Sequence, residues 1–241
     1  HPMLEFIEVF WLRDGFDVIC GNPPWVVTDF DVVDLFSEKF PELAIRGAKS
    51  PEVRANKESY FKQCPSLKEA YQSEIIDSTC CNYFSGSKCL YPYLVGIKTD
   101  LFLCILENSL ELLSSNGFIG MVHPEAVYET ARLSEFRERV YHQLRYHFQY
   151  YNELRLFAEV HHEKPYSVNI YGGYRDNISF ESIHNLYHPN TVDNCFAHDG
   201  HGFCYGKKHN GTWNILAHKD RIVHFNSATL NLLSTTFESD E

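Results

Sequence analysis

Residues 22–25 read Asn-Pro-Pro-Trp, directly after the mostly apolar run Phe16-Asp17-Val18-Ile19-Cys20-Gly21. Two consecutive prolines fix φ and remove two backbone donors, so neither a strand nor a helix continues through them. A buried strand that ends there must turn a rigid corner. The corner carries free carbonyls, a carboxamide at its start and a large flat ring at its end. That set suits gripping a planar base that bears an amino group. Asn22 Oδ1 and the Pro23 carbonyl can both accept from an exocyclic NH₂, and Trp25 can stack on the ring, as a flipped-out base requires. The plainer alternative is a strand-ending turn with a buried Trp.

The surrounding pattern alternates strands and helices. Residues 3–10 have the spacing of a short amphipathic segment, Asp14-Gly15 reads as a turn, and 16–20 as a central strand. From Val26 to about Tyr71 the chain is polar, with helical apolar spacing in pieces: Val32, Val33, Leu35, Phe36, Phe40, then Tyr60, Phe61, Leu67, Tyr71. Residues 26–98 therefore read as a helical insertion, a lid or side subdomain. Residues 82–94 are rich in turn formers. Leu101 to Leu113 has helical spacing, with Asp100 as N-cap and Ser114-Ser115-Asn116-Gly117 as the stop. Phe118 to Val122 reads as a second buried strand closed by His123-Pro124. A helix is expected over 131–144, then strands near 147–156 and 166–172. This order predicts an α/β sheet with parallel strands.

The Asn22–Trp25 tetrapeptide, with Leu4-Glu5-Phe6-Ile7-Glu8-Val9-Phe10 and Gly15 to Gly21 before it, resembles motif IV of the amino-methylating DNA methyltransferases. Asn-Pro-Pro-aromatic is the form found in N6-adenine enzymes. The flanks look like the large bacterial adenine methyltransferases of fused restriction–modification enzymes and of phage-defence systems of the BREX and DISARM kind. The resemblance covers roughly residues 1–175. It implies an α/β fold: the second half of a Rossmann-like class I methyltransferase sheet, with the helical insertion and a C-terminal antiparallel strand pair. Residues 176–241 then start a following recognition or connector region.

The resemblance also implies chemistry. The methyl group passes from S-adenosylmethionine to adenine N6 by direct displacement, with no covalent enzyme intermediate. Asn22, Pro23, Pro24 and Trp25 hold and aim the target amine, by orientation and electrostatics. Thr99-Asp100-Leu101-Phe102 matches motif V, which places Asp100 and Phe102 at the donor pocket; an N-cap and a core helix explain them equally well. The loop Leu156 to Tyr166 matches the target-base motif between the last two strands. His161 stands where many relatives carry Phe, and Tyr166 and Phe157 compete with it for the face opposite Trp25. A hairpin turn with solvated histidines is the alternative there.

The Gly-rich turn that cradles the donor in this family has no counterpart after an early strand. Gly172-Gly173 and Gly200-x-Gly202 come after the core strands. The donor site is thus expected to be largely missing from this chain and to lie in an N-terminal half of the same enzyme. The first residue, His1, opens almost directly onto a motif that is mid-domain in the family.

Charge bears on the same point. The formal net charge is −11, whereas phosphate contacts need Lys and Arg. Double-stranded DNA is therefore expected to bind through the complete enzyme. Arg132, Arg137, Arg139 and Arg145 alternate with Glu129, Glu135 and Glu138, which reads as a salt-bridged helix face. No apolar run is long enough to span a membrane, and the start lacks signal-peptide regions, so a cytoplasmic setting is expected. The eight cysteines show no secreted framework. Cys195, His198, His201 and Cys204 have ligand types suited to zinc, but their equal gaps favour a Gly/His-rich loop, and no metal is assigned. Two other functions stay open: an inactive remnant or nucleic-acid-binding assembly module, and methylation of a non-DNA amine.

Overall fold

The turn ahead of the Asn-Pro-Pro corner is set by two backbone angles. Helices α1 (Pro2–Glu5) and α2 (Ile7–Arg13) end at Asp14, which is left-handed at φ 63°, and Gly15 follows at φ 139°. A Cβ on Gly15 would lie 2.6 Å from the Ser114 nitrogen, so this passage demands glycine. The chain then enters strand β1, Phe16–Gly21. The computed structural model describes residues 2–27, 30–97, 100–158 and 160–237; Thr99 and Glu159 lie outside them.

Residues Val26–Leu101 form one compact unit and the rest of the chain another. The first is helical: α3 (Val32–Ser37), α4 (Glu42–Ile45), α5 (Ser50–Gln63) and α6 (Pro65–Ser85). Its core is the apolar set that the sequence spacing singles out, with Val32, Phe36, Phe61, Leu67 and Tyr71 buried beside Leu43 and Val53. Asp31 caps α3 by accepting from the Val33 amide at 2.7 Å. A β-bridge between Val27 and Asp100 brings the two ends of the unit together.

The second unit is built on a mixed six-stranded sheet. After α7 (Leu101–Leu112) come β2 (Leu113–Pro124), α8 (Ala126–Glu129), α9 (Ser134–Gln143), β3 (Leu144–Tyr151) and β4 (Pro165–Gly172). Then follow β5 (Ser179–Leu186), α10 (Asn190–Ala197), the hairpin β6 (Lys208–His209) and β7 (Thr212–Trp213), β8 (Val223–Asn226) and α11 (Ser227–Phe237). The sheet order is β1-β2-β4-β3-β5-β8. The pairs β1/β2 and β3/β5 are parallel; β2/β4, β4/β3 and β5/β8 are antiparallel. The expected α/β class and the antiparallel strand pair after α9 are both present. The residue division at 175/176 falls between strands of this one sheet.

Four sequence expectations shift. The 16–20 strand, read as central and buried, is the edge strand β1 and is mostly exposed. The 131–144 helix opens as a 3₁₀ turn at Ala131–Leu133 and ends at Gln143. The strand expected at 147–156 runs 144–151 instead, and Asn152–Leu154 is another 3₁₀ turn. Residues 114–117, expected as a helix stop, already belong to β2.

Helix α7 buries Phe102, Leu103, Leu106 and Leu110, the i, i+3, i+4 face that its sequence pattern predicts. Each such burial stabilises by about 1.5–3 kcal/mol. The middle of the sheet, in contrast, is polar. Glu125 Oε1 lies 3.1 Å from His147 Nε2, His147 Nδ1 lies 2.8 Å from Ser182 Oγ, and Ser182 Oγ lies 2.9 Å from His184 Nε2. Beside them, Asn169 Nδ2 donates to His123 Nε2 at 3.0 Å, and the Tyr128 hydroxyl donates to Asn169 Oδ1 at 2.8 Å. These bonds join β2, β4, β3 and β5 and hold their register, because a slip would leave buried polar groups unpaired. Among the described residues, no helix is long and apolar enough to cross a membrane.

Candidate target-base site

Strand register decides what gathers around the corner. Gly21 pairs with Met121, so Asn22 emerges at the C-terminal ends of β1 and β2. At that same end, Pro124 pairs with Tyr166 and Tyr166 pairs with Tyr150. Pro23 is buried and anchors the corner; Asn22 and Pro24 are exposed. The Asn22 amide makes no hydrogen bond among the described residues, so its oxygen is available as an acceptor.

Trp25 is half-buried. It packs against a cluster of Tyr150, Tyr166, Ile183, Leu186 and Cys195. Its ring centroid is 5.9 Å from Tyr166, tilted 34°, and 6.0 Å from Phe157 at 58°. These are ordinary aromatic packing contacts, with no gap for a base between the rings. Tyr166 is only 2% exposed and is stacked in turn on Tyr150. Burial raises its hydroxyl pKa to about 12. The expectation that Tyr166 faces Trp25 across an open slot is thereby corrected: Tyr166 and Phe157 pack directly against the indole. Trp25 Nε1 is buried with no hydrogen-bond partner.

His161 is exposed, and the ring beside it is His162 at 4.6 Å. Its Nδ1 accepts weakly from the Glu163 amide at 3.4 Å. His162 in turn lies 3.4 Å from Glu153. No ring contact joins His161 to Trp25, whereas Phe157 and Tyr166 both touch it.

The donor-side residues behave differently. Phe102 is fully buried and stacks on His123 at 5.2 Å and 16°, so it fills the core of the sheet unit rather than an open pocket. That corrects its assignment to a donor site. Asp100 belongs to the helical unit, where it bridges Val27. Thr99, which opens the same motif, lies outside the described residues.

Sequence reading missed Asn152. It is fully buried at the end of β3. Its Nδ2 donates to the carbonyls of Phe157 at 2.7 Å and Val160 at 2.6 Å, and its Oδ1 accepts from the Phe157 amide at 3.1 Å. One side chain thus ties down the loop that carries Phe157 behind Trp25. The available signal was an Asn at the end of an aromatic strand, a position where Asx side chains replace missing backbone partners.

The arginines after β2 are largely occupied. Arg139 pairs with Glu111 at 2.5 Å, and Arg137 donates to the Thr130 carbonyl at 3.0 Å. Cys195 is sealed in α10, while His198 packs on His218 at 4.6 Å. Among the described residues no three His, Cys, Asp or Glu side chains converge as a metal site.

No family model matches this sequence, and no curated protein does. Several solved structures are similar in part. One is the type I restriction-modification methyltransferase subunit from Streptococcus thermophilus, at 16% identity and TM-score 0.34 over 42% of this chain and 22% of that one. A second is a DrdV–DNA complex, at 15% identity and TM-score 0.38 over 75% of this chain and 16% of that one. A third is the type IIG restriction endonuclease BpuSI, at 16% identity and TM-score 0.37 over 71% and 18%. The chain spans less than a quarter of the length of each of these proteins.

Proposed function

We propose that this chain carries the target-base half of the site of a DNA methyltransferase that acts on adenine N6 with S-adenosylmethionine as donor. The observation that carries the reading is the corner itself. A proline-rigid strand end presents the free Asn22 amide beside a half-exposed indole whose inner face is braced by Tyr166 and Phe157. An extrahelical adenine stacked on the outer face of Trp25 would direct its amino group at Asn22 Oδ1 and the Pro23 carbonyl. Two acceptors favour a more pyramidal, more nucleophilic nitrogen.

The described residues do not fit a donor cradle, because Phe102 is sealed and Asp100 sits in a β-bridge. We assign donor binding to protein that adds to the outer edge of β1. That edge has no partner among the described residues, and Val18 on the strand is 65% exposed. An unpaired edge beside exposed apolar side chains is a template for further strands. This completing part is read as the N-terminal half of the same cytoplasmic restriction–modification or phage-defence enzyme. It would also supply basic surface for double-stranded DNA. Residues 1–175 would carry the partial catalytic domain with its 26–98 insertion, and 176–241, whose β5 and β8 extend the same sheet, would lead into a recognition or connector region.

The negative charge and the poor donor fit favour one competing reading, a base-holding module without transfer activity. Mass spectrometry of genomic DNA separates the two. Cells expressing the full-length gene product are expected to contain N6-methyladenine in a fixed sequence context, and cells expressing its Asn22→Ala variant none. Equal N6-methyladenine in both, or none in either, overturns methyl transfer at Asn22.

A further inference from the structure

A cavity of about 500 Å³ lies at the end of the strands away from the Asn22 corner. Its walls include Phe118, Arg145, Tyr146, Arg175, Glu181 and His224. Tyr146 precedes Tyr150 by four residues on β3, so this cavity is roughly 13 Å along the sheet from the Trp25 cluster. Neither the Asn22 corner nor any residue discussed with it contributes to these walls.

Three local features build the cavity. First, the β3/β4 register slips between Leu144 and Tyr146, leaving Arg145 as the extra residue of a bulge. Bulges re-aim a side chain that a regular strand would point elsewhere. Second, Gly172 makes room for it: a Cβ there would lie 2.9 Å from Arg145 Nε. Third, the guanidinium is held by neutral acceptors, the carbonyls of Leu144 at 3.1 Å and of Gly173. Those bonds fix the group without cancelling its charge.

Arg145 is 9% exposed, and its Nε is buried with no partner. Arg175 approaches from the loop after β4. Its amide donates to the His142 carbonyl at 3.2 Å, and its own carbonyl lies 2.7 Å from His142 Nδ1, so the backbone is pinned while the side chain is exposed. Neither arginine has a carboxylate partner within ion-pair distance among the described residues. Burial, then the charge of Arg175, lowers the Arg145 pKa to about 10. The Arg145 guanidinium is buried without a carboxylate in ion-pair distance, and with the exposed Arg175 lining the same cavity it offers an anion two positive groups.

The rest of the lining restricts the anion. Phe118 is 51% exposed and Tyr146 is 38% exposed, which offers aromatic surface to a flat ligand. Glu181 and His224, paired across β5 and β8, add hydrogen-bonding groups for hydroxyls. The volume falls within the range of small-molecule sites, about 300–1,000 Å³. We infer that this cavity binds a small phosphorylated ligand of the nucleoside monophosphate class, with its phosphate between Arg145 and Arg175. A concave site of this size suits a free ligand better than the backbone of a duplex.

Calorimetric titration of the full-length protein with AMP, adenosine and inorganic phosphate tests the inference. AMP is expected to bind saturably and more tightly than either fragment. Arg175→Gln is expected to weaken AMP by at least about tenfold. Gly172→Ala, which displaces the buried guanidinium through a single methyl, is expected to do the same with an unchanged circular dichroism spectrum. Methyl transfer is expected to be unaffected by Arg175→Gln, so loss of this site and loss of the methyltransferase reading are distinguishable. The inference is overturned if AMP shows no saturation, if inorganic phosphate binds as tightly as AMP, or if Arg175→Gln leaves the affinity within twofold. It is also overturned if AMP binding is lost with Asn22→Ala but kept with Arg175→Gln, or if only duplex DNA responds to Arg175→Gln.

Discussion

The Trp25 indole rests on Tyr166, with ring centroids 5.9 Å apart and planes tilted by 34°. The contacts with Tyr166 and Phe157 are structural, and the proposed base would have to stack on the face away from them. The tyrosine is itself buried and stacked on Tyr150, so the indole packs onto the sheet. Ring stacking and the buried, unpartnered Nε1–H make separate demands on the residue, and substitutions separate them.

Trp25→Ala is expected to remove base stacking, worth about 1–3 kcal/mol, and to raise KM for DNA by roughly 5- to 150-fold on the same estimate. Trp25→Phe keeps a ring and discards the unpaired Nε1–H, whose burial costs about 1–3 kcal/mol. This variant should equal or exceed the parent in thermal stability while losing much less affinity than Trp25→Ala. A drop in Tm of many degrees for Trp25→Phe would show that the indole nitrogen has a partner.

Asn22→Ala is expected to abolish methyl transfer in the full-length protein and to leave DNA affinity nearly intact. Asn22 addresses one amino group, whereas phosphate contacts supply most of the binding energy. Turnover above a tenth of the parent value, measured with tritiated donor, would remove Asn22 from the role of holding the target amine.

Asn152→Ala should act at a distance. It leaves two carbonyls and one amide of the 157–160 loop without partners, a loss of about 1–3 kcal/mol in stability. Phe157 would then no longer brace Trp25, and KM for DNA should rise while the loop becomes sensitive to limited proteolysis. Unchanged proteolysis together with unchanged KM would make Asn152 irrelevant to the site.

The buried network predicts sensitivity to acid. Burial lowers the His123 pKa from 6.5 to about 4, and burial likewise takes His184 to about 4. The unfolded chain takes up protons between these values and the folded chain does not, so stability declines as pH falls from about 6.5 to 4. His123 alone contributes on the order of 3 kcal/mol to this slope. Burial pushes Glu125 up, but the hydrogen bond from His147, with those from Ser167 and Gln149, prevails and its pKa is lowered. Its stabilisation is present above 4.5 and is lost as pH falls through the lower folded value. Urea unfolding midpoints at pH 7, 6 and 5 should decrease in that order, and a flat profile would contradict the neutral, buried state of His123.

Donor binding is expected to be weak when residues 1–241 are studied as an isolated chain, because Phe102 is sealed and Asp100 is engaged in a bridge. Calorimetric titration with S-adenosylmethionine checks this. Micromolar affinity would reveal a donor site built from residues other than these.

The sequence alone determined the parts of this protein that local rules govern. Asp14-Gly15 makes the turn, the run to Gly21 makes a strand, and Pro23-Pro24 ends it, because φ restriction and missing donors act over a few residues. The face of α7 and the apolar helical set of the 26–98 region were legible for the same reason, through side-chain period. Tertiary structure decided the rest. Sheet pairing set Tyr166 behind Trp25 and placed β5 and β8 on the far side of β3, since partners in a sheet are chosen across long separations. The Glu125–His147–Ser182 chain joins residues 22 and 35 positions apart. The Arg145 bulge depends on a one-residue slip against β4 and on space left by Gly172. No local pattern encodes such meetings; they arise when buried polar groups must find partners in a packed interior.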